Sequence, residues 1–345
     1  MIISVKTIYA KSEKAQAAHI LVSELQEYFH KTLNQNIIDD LGFKRKEWLR
    51  NNGEYGGGER LESQSLFFNS ASINVSQVQY ENKPEKKLNS ATALSTIIHP
   101  TNPHCPSIHI HISFTEMKNG EGYWRMMADL NPSLECNYSE EFSKIINSCI
   151  PNGLDIAFEH GDQYFYIPTL KQHRGVSHFY LEQYNGNSFE EDMGIARNLT
   201  KNVMDYYTNK VINQYRSHPN PSPKDIQNQI DYHTLYFFQV LTLDKGTTAG
   251  LLVHAENDIG ILGSLPKLIN KKKLSEWLLT IPKPQDELLK KIIGVFPAGN
   301  LGDVTEQTKS ILARVIREHY KKYPEALKLQ ASCDLSPEVS IGRHS

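Results

Sequence analysis

Between Pro106 and Phe114 the chain reads PSIHIHISF, an alternation that only an extended strand can use. Side chains along a strand turn to opposite faces with a period of two. Ile108, Ile110, Ile112 and Phe114 therefore share one face, and Ser107, His109, His111 and Ser113 share the other. The isoleucine face has to be core. The histidine face is either solvated or the wall of a polar cavity, and alternation by itself fits both. His99 ends the preceding strand candidate and His104 lies in the proline-rich turn between, so up to four imidazoles could converge. Two histidines at i and i+2 can chelate a metal, but no thiolate or carboxylate stands nearby at ligand spacing.

Around this strand the pattern predicts blocks of strands separated by helices. An apolar stripe of Ala18, Leu21, Leu25, Phe29 and Leu33 marks a first long helix, and residues 51–62 read as a glycine-rich connector. SLFFNSASINVSQV, TALSTIIHP, YWRMMADLNP, DQYFYIP and HFYLEQY read as strands. A helix beginning near Ser139, with a partial capping box, and a second long one over EEDMGIARNLTKNVMDYYTNKVINQY lie between them. After the proline-rich break SHPNPSPKD and a further helix start, TLYFFQVLTLDKGTTAGLLVHA suggests a hairpin turning at Asp244–Lys245–Gly246, with another strand over GILGSLPKL. An amphipathic helix follows over VTEQTKSILARVIREHYKKY. Strand runs joined by short turns point to an α+β fold with a large, mostly antiparallel sheet and helices packed on it.

The totals exclude several classes. The 345 residues carry 37 basic and 39 acidic side chains, without the basic excess of a nucleic-acid binder. Four cysteines without CxxC spacing read as reduced thiols of a cytoplasmic protein. No apolar run approaches the ~20 residues of a membrane span. Gly56–Gly57–Gly58 has neither the strand-then-helix context nor the following Lys-Ser/Thr of a phosphate loop, and reads as a flexible turn.

Extended outward, the histidine strand becomes ALSTIIHPTNPHCPSIHIHISF. This resembles oxygen-dependent coproporphyrinogen III oxidases, whose hallmark is His-Pro-x-Asn-Pro-x-x-Pro-x-x-His-x-Asn; His99, Pro100, Asn102, Pro103, Pro106 and His109 fall in register. Upstream, Gly56, Gly57, Arg60, Phe68, Ala71, Asn74 and Ser76 match a second block. Downstream, MADLNP, HRGVSHFYLEQ, FFQVLTLDKGTTAGL and GILGSLPKL match further blocks in order, over about residues 15–270.

The resemblance implies helices on both sides of the sheet, a homodimer, and a porphyrinogen substrate with four carboxylates, two of whose propionates become vinyl groups. Molecular oxygen would be the co-substrate, with no obligatory cofactor and no metal; His99 and His109 would serve as ligands only if one were present. It implies a place in haem and porphyrin biosynthesis. It divides the chain into an oxidase-like domain (1–302), an additional C-terminal helix (303–330) and a flexible tail (331–345). By position His109 is the proton donor and Asp244 the carboxylate that engages pyrrole N–H groups. Ser95, His111 and Ser113, with Arg60, Asn74, Arg174 and Lys245, are candidate substrate contacts. A carboxylate hydrogen-bonded to a pyrrole N–H enriches the ring for attack on oxygen, and peroxide leaving needs an acid in histidine's range.

The departures from the family pattern concern charge. Its His-x-Asn-x-Arg is here His109-Ile110-His111-Ile112-Ser113, its hairpin arginine is Lys245, and a Gly-Ser-Arg run is Ala255-Glu256-Asn257. Losing two arginines removes about 2–4 kcal/mol of charge-assisted binding unless Arg60, Arg125, Arg174 or Lys245 compensates. The alternatives are a non-catalytic tetrapyrrole-binding relative, an oxidase with a different substrate, and an oxygenase in which His99, His109 and His111 recruit a metal.

Overall fold

The computed structural model describes residues 7–37, 40–253 and 257–331. Its centre is a seven-stranded antiparallel sheet made of β1 (Lys44–Leu49), β2 (Gly56–Ser63), β3 (Phe68–Gln79), β4 (Leu88–Pro100), β5 (Ser107–Met117) and β6 (Gly122–Asn131), closed by β9. A two-stranded ribbon of β7 (Tyr166–Ile167) and β8 (Gln172–His173) leads into β9 (Ser177–Tyr184), which pairs with β6. Strands β1 to β6 lie side by side in chain order, so each of their registers follows from the turn before it.

Period-two alternation divides the sheet as expected. Ile73, Val75, Leu94, Ile98, Ile108, Ile110, Ile112, Met126 and Phe179 form the apolar face. Against it pack α1 (Glu13–Asn36), α2 (Tyr138–Asn147) and α4 (Phe189–Ser217), through Leu21, Leu25, Phe29, Phe142, Leu199 and Val203. Between α2 and α4 comes α3 (Ile156–Phe165), which lies against β9. Gly161 makes that approach possible, because a Cβ there would come within 2.6 Å of the His178 carbonyl oxygen.

The opposite face is polar and is covered by helices from the second half of the chain. These are α5 (Pro223–Thr242), α6 (Lys245–Val253), α7 (Asp258–Ile261), α8 (Lys271–Trp277), α9 (Gln285–Gly294) and α10 (Glu306–Lys322). Their own core includes Phe237, Leu241, Leu251, Leu288, Leu312 and Ile316, so α10 is built into this layer.

Five expectations fail here. The predicted hairpin around Asp244 is a corner between two helices. The start of α5 was legible, with Pro223 at its first turn and a Ser222–Asp225 capping box. Residues 232–242 of that helix are buried on nearly every side, however, and this erases the one-sided stripe that would separate helix from strand. DQYFYIP is mostly α3, with only Tyr166 and Ile167 extended. GILGSLPKL contributes the end of the single-turn α7, and the three-residue β10 (Leu268–Asn270) begins at its last residue and pairs with β11 (Leu301–Asp303) outside the main sheet. The glycine-rich connector is half strand, since β2 starts at Gly56; at Gly58 a Cβ would press within 2.8 Å of the Trp48 ring. The helix near Ser139 begins one residue earlier, and its cap Asn137 makes no side-chain bond. The expected tail and Cys333 lie outside the described residues, apart from Ala331. Cys105, Cys136 and Cys149 are free thiols.

Candidate active site

A cavity of about 300 Å³ lies between the polar sheet face and helices α5, α6 and α7. Cross-strand register builds its floor in rows. Asn74 pairs with Ser95, Ser95 with His111, and His111 with Met127; in the next row Ile97 pairs with His109 and His109 with Asp129. Asn74, Ser95, His109 and His111 therefore all point into one cavity, and Asp244, from the α5–α6 corner, lines it from above. His109 and Asp244 thus line one cavity from opposite sides.

His109 Nδ1 lies 3.0 Å from Asp129 Oδ1, with an N–H···O angle too bent for an aligned hydrogen bond. Asp129 is wholly buried; its Oδ2 sits 3.1 Å from Arg174 Nη1 and accepts from Asn131 Nδ2 at 2.5 Å. Burial raises its pKa, but the charges of Arg174 and His109 and the hydrogen bonds outweigh that and hold the carboxyl at about 2. Arg174 also donates from Nε to Gln239 Oε1 (2.5 Å) and from Nη1 to Asn131 (2.8 Å), and its guanidinium lies 4.8 Å from the Phe165 ring centre and 5.2 Å from that of Tyr236. It is a spent cation.

Asp244 caps α6, its Oδ2 accepting the Thr247 backbone N–H at 2.6 Å, while its Oδ1 accepts the Tyr164 hydroxyl at 2.7 Å. Burial first, then the Asp244 charge, raises the Tyr164 pKa well above the usual range, so this phenol is a donor at any physiological pH. His111 Nε2 lies 3.2 Å from Ser113 Oγ. Burial, then the charges of Arg125 and His109, lowers its pKa to about 3, and His111 is a neutral imidazole. Arg125 grips Glu182 through two 2.6 Å bonds, and Tyr180 donates to the same carboxylate.

Three expected contacts stand back from the cavity. Ser113 is buried behind His111, Lys245 is not among the lining residues, and Arg60 lies under α7. Arg60 pairs with Glu62 at 3.0 Å, and its buried Nη1, without a hydrogen-bond partner, packs where a Cβ on the lining residue Gly260 would be. Nor do four imidazoles converge. His104 stacks on His218 at 4.2 Å, whereas His99 is buried against Tyr236 and bonded to Ser107 at 2.8 Å. Among the described residues no group of three or more His, Cys, Asp or Glu side chains is placed to hold a metal ion. Ala255 and Glu256 lie outside the described residues. Sequence reasoning passed over Asp129, Tyr164, Glu182 and Gln239 as site residues; all but Tyr164 lie within the matched blocks MADLNP, HRGVSHFYLEQ and FFQVLTLDKGTTAGL.

A sheet floor bearing an imidazole–carboxylate pair, faced by a helix-capping aspartate under an aromatic wall, is a small-molecule site with acid–base capacity. A model of the coproporphyrinogen III oxidase family matches residues 17–277, most of the chain. The chain belongs to the oxygen-dependent coproporphyrinogen III oxidase family. Among the described residues no helix is long and apolar enough to cross a membrane.

Proposed function

We propose that the chain oxidises a porphyrinogen with molecular oxygen, the family's reaction on coproporphyrinogen III being the form to test first. In that reaction two of the four propionates each lose carbon dioxide and two hydrogens to become vinyl, and for each one oxygen molecule becomes hydrogen peroxide. The observation that supports this reading is the shared cavity of His109 and Asp244. Asp244 keeps one lone pair on each oxygen for pyrrole N–H groups, since Tyr164 and Thr247 occupy the others. His109, oriented by Asp129, supplies the proton for the departing peroxide. Such a site works without an organic cofactor, and the active unit is proposed to be a homodimer in the cytoplasm.

The test is incubation with coproporphyrinogen III under air and under strict anoxia, followed by mass spectrometry. Successive losses of two hydrogens and carbon dioxide under air alone support the proposal. Full turnover by both His109→Ala and Asp244→Ala would remove these two residues from it.

A second reading, oxidation of a different porphyrinogen, is favoured by one observation. Ser113 stands where the family offers an arginine, and the neighbouring Arg125 is already paired with Glu182.

A further inference from the structure

We infer that this cavity selects a porphyrinogen carrying two or three carboxylates over one carrying four. The inference rests on the porphyrinogen reading above and narrows it.

The argument is an inventory of charge, taken element by element. From the sheet come Arg125, neutralised by Glu182 of β9, and, beside the sheet, Arg174, neutralised by Asp129 of β6. His111 contributes no charge, and Ser113 offers a hydroxyl where a guanidinium would serve a propionate. From the covering helices comes Asp244, amid the neutral Tyr164, Tyr236, Gln239, Val240 and Ile261. Among the described lining residues neither guanidinium is therefore unpaired: Glu182 and Asp129, behind the lining, hold Arg125 and Arg174, and Asp244 adds a carboxylate of its own. Arg60, a further cation, holds its buried Nη1 behind Gly260, outside the cavity lining.

Each carboxylate brought in thus meets arginines already paired and the Asp244 carboxylate, and neither arginine can be released without stranding a buried acid. The same walls suit the rest of a tetrapyrrole. Asp244, Ser95 and Asn74 accept N–H groups, and the rings of Trp48, Phe165 and Tyr180 face its apolar surface. At least one propionate must remain for decarboxylation, which leaves the partly decarboxylated porphyrinogens.

Stable oxidised porphyrins test this without turnover. Quenching of protein fluorescence would be titrated with mesoporphyrin (two carboxylates) and coproporphyrin (four), at low and high salt. The expected result is binding about 10-fold or more tighter for the two-carboxylate ring. Added salt should strengthen coproporphyrin binding by screening repulsion, and Glu182→Gln, by freeing Arg125, should tighten coproporphyrin about 10-fold and mesoporphyrin less, narrowing the preference. Tighter binding of the four-carboxylate ring, or its weakening by salt, overturns the inference and leaves the porphyrinogen site standing. A preference that neither salt nor Glu182→Gln alters is mere hydrophobic ranking and overturns it too. Binding of neither porphyrin overturns both proposals.

Discussion

Asp129 and His109 face each other across neighbouring strands, Oδ1 to Nδ1 at 3.0 Å, with the acid wholly buried and the imidazole turned into the cavity. The β5–β6 register that pairs these residues makes Asp129 a positioning group for the imidazole. Asp129→Asn keeps the shape but offers a neutral amide to both His109 and Arg174. Porphyrinogen turnover should fall about 100-fold or more through kcat, with KM little changed. Stability should fall by about 3–5 kcal/mol because Arg174 is left buried without its counter-charge. Urea unfolding and steady-state kinetics check both. Unchanged kcat in a destabilised variant would reduce Asp129 to a structural role.

Tyr164 reaches Asp244 from α3, an element placed by the close approach of Gly161 to β9. Tyr164→Phe strips one hydrogen bond from a carboxylate, a loss of about 1.5–3 kcal/mol in stability, discounted because the phenol borders the cavity. The bared oxygen becomes a better acceptor, so binding of an N–H-bearing porphyrinogen should tighten while the melting temperature drops. Weaker binding would show instead that the tyrosine itself contacts the ligand.

The sheet was legible because β5 writes its two faces in plain alternation, and the apolar half of that reading holds to the residue. The partner of His109 was within reach as well: counting outward from Asn119, the middle of the turn, sets residue 109 opposite residue 129. Other parts of the site depend on contacts that sequence spacing does not encode. Glu182 meets Arg125 across the β6–β9 pairing, through a bulge that shifts the register between Trp124 and Met126. Tyr164 was hidden because its helix was read as a strand. Asp244 lines the cavity from a corner between helices where a hairpin was expected: the family motif singled out the residue, whereas the all-round burial of α5 concealed the element that carries it.

Arg317 of α10 ties down the helices that roof the cavity. It donates from Nε to the Leu251 carbonyl oxygen at 2.9 Å and pairs with Asp258, so one side chain spans α6 and α7. Arg317→Ala should cost about 1–3 kcal/mol in stability and raise the porphyrin dissociation constant severalfold, because the roof loses its fastening. Leu279→Ala, at a highly exposed position, is the control, expected to leave both unchanged within about 0.5 kcal/mol. An Arg317→Ala protein that binds porphyrin as tightly as the parent would sever the C-terminal helix from the site.

Acid should unfold this protein through its imidazoles before its carboxylates. His99, His111 and His233 all have pKa values lowered by burial above all, the last two to about 3. Each is neutral in the folded chain and takes up a proton on unfolding once the pH drops below the ordinary histidine value of about 6.5. Their stabilisation is therefore complete above that pH and is lost as pH falls from about 6.5 toward 3. Asp129, held at about 2, has the opposite linkage: its contribution is present above the ordinary aspartate value and is lost only as pH falls below about 4. Between pH 6.5 and 4.5 the loss thus belongs to the histidines, at up to about 1.4 kcal/mol per pH unit for each fully buried ring. Urea unfolding at pH 7.5, 6.0 and 5.0 should show this fall, and His233→Gln, which removes one of the three, should flatten the slope by about that amount. A slope that the substitution leaves untouched would mean that His233 meets its proton as readily folded as unfolded, contrary to its burial between α5 and the sheet.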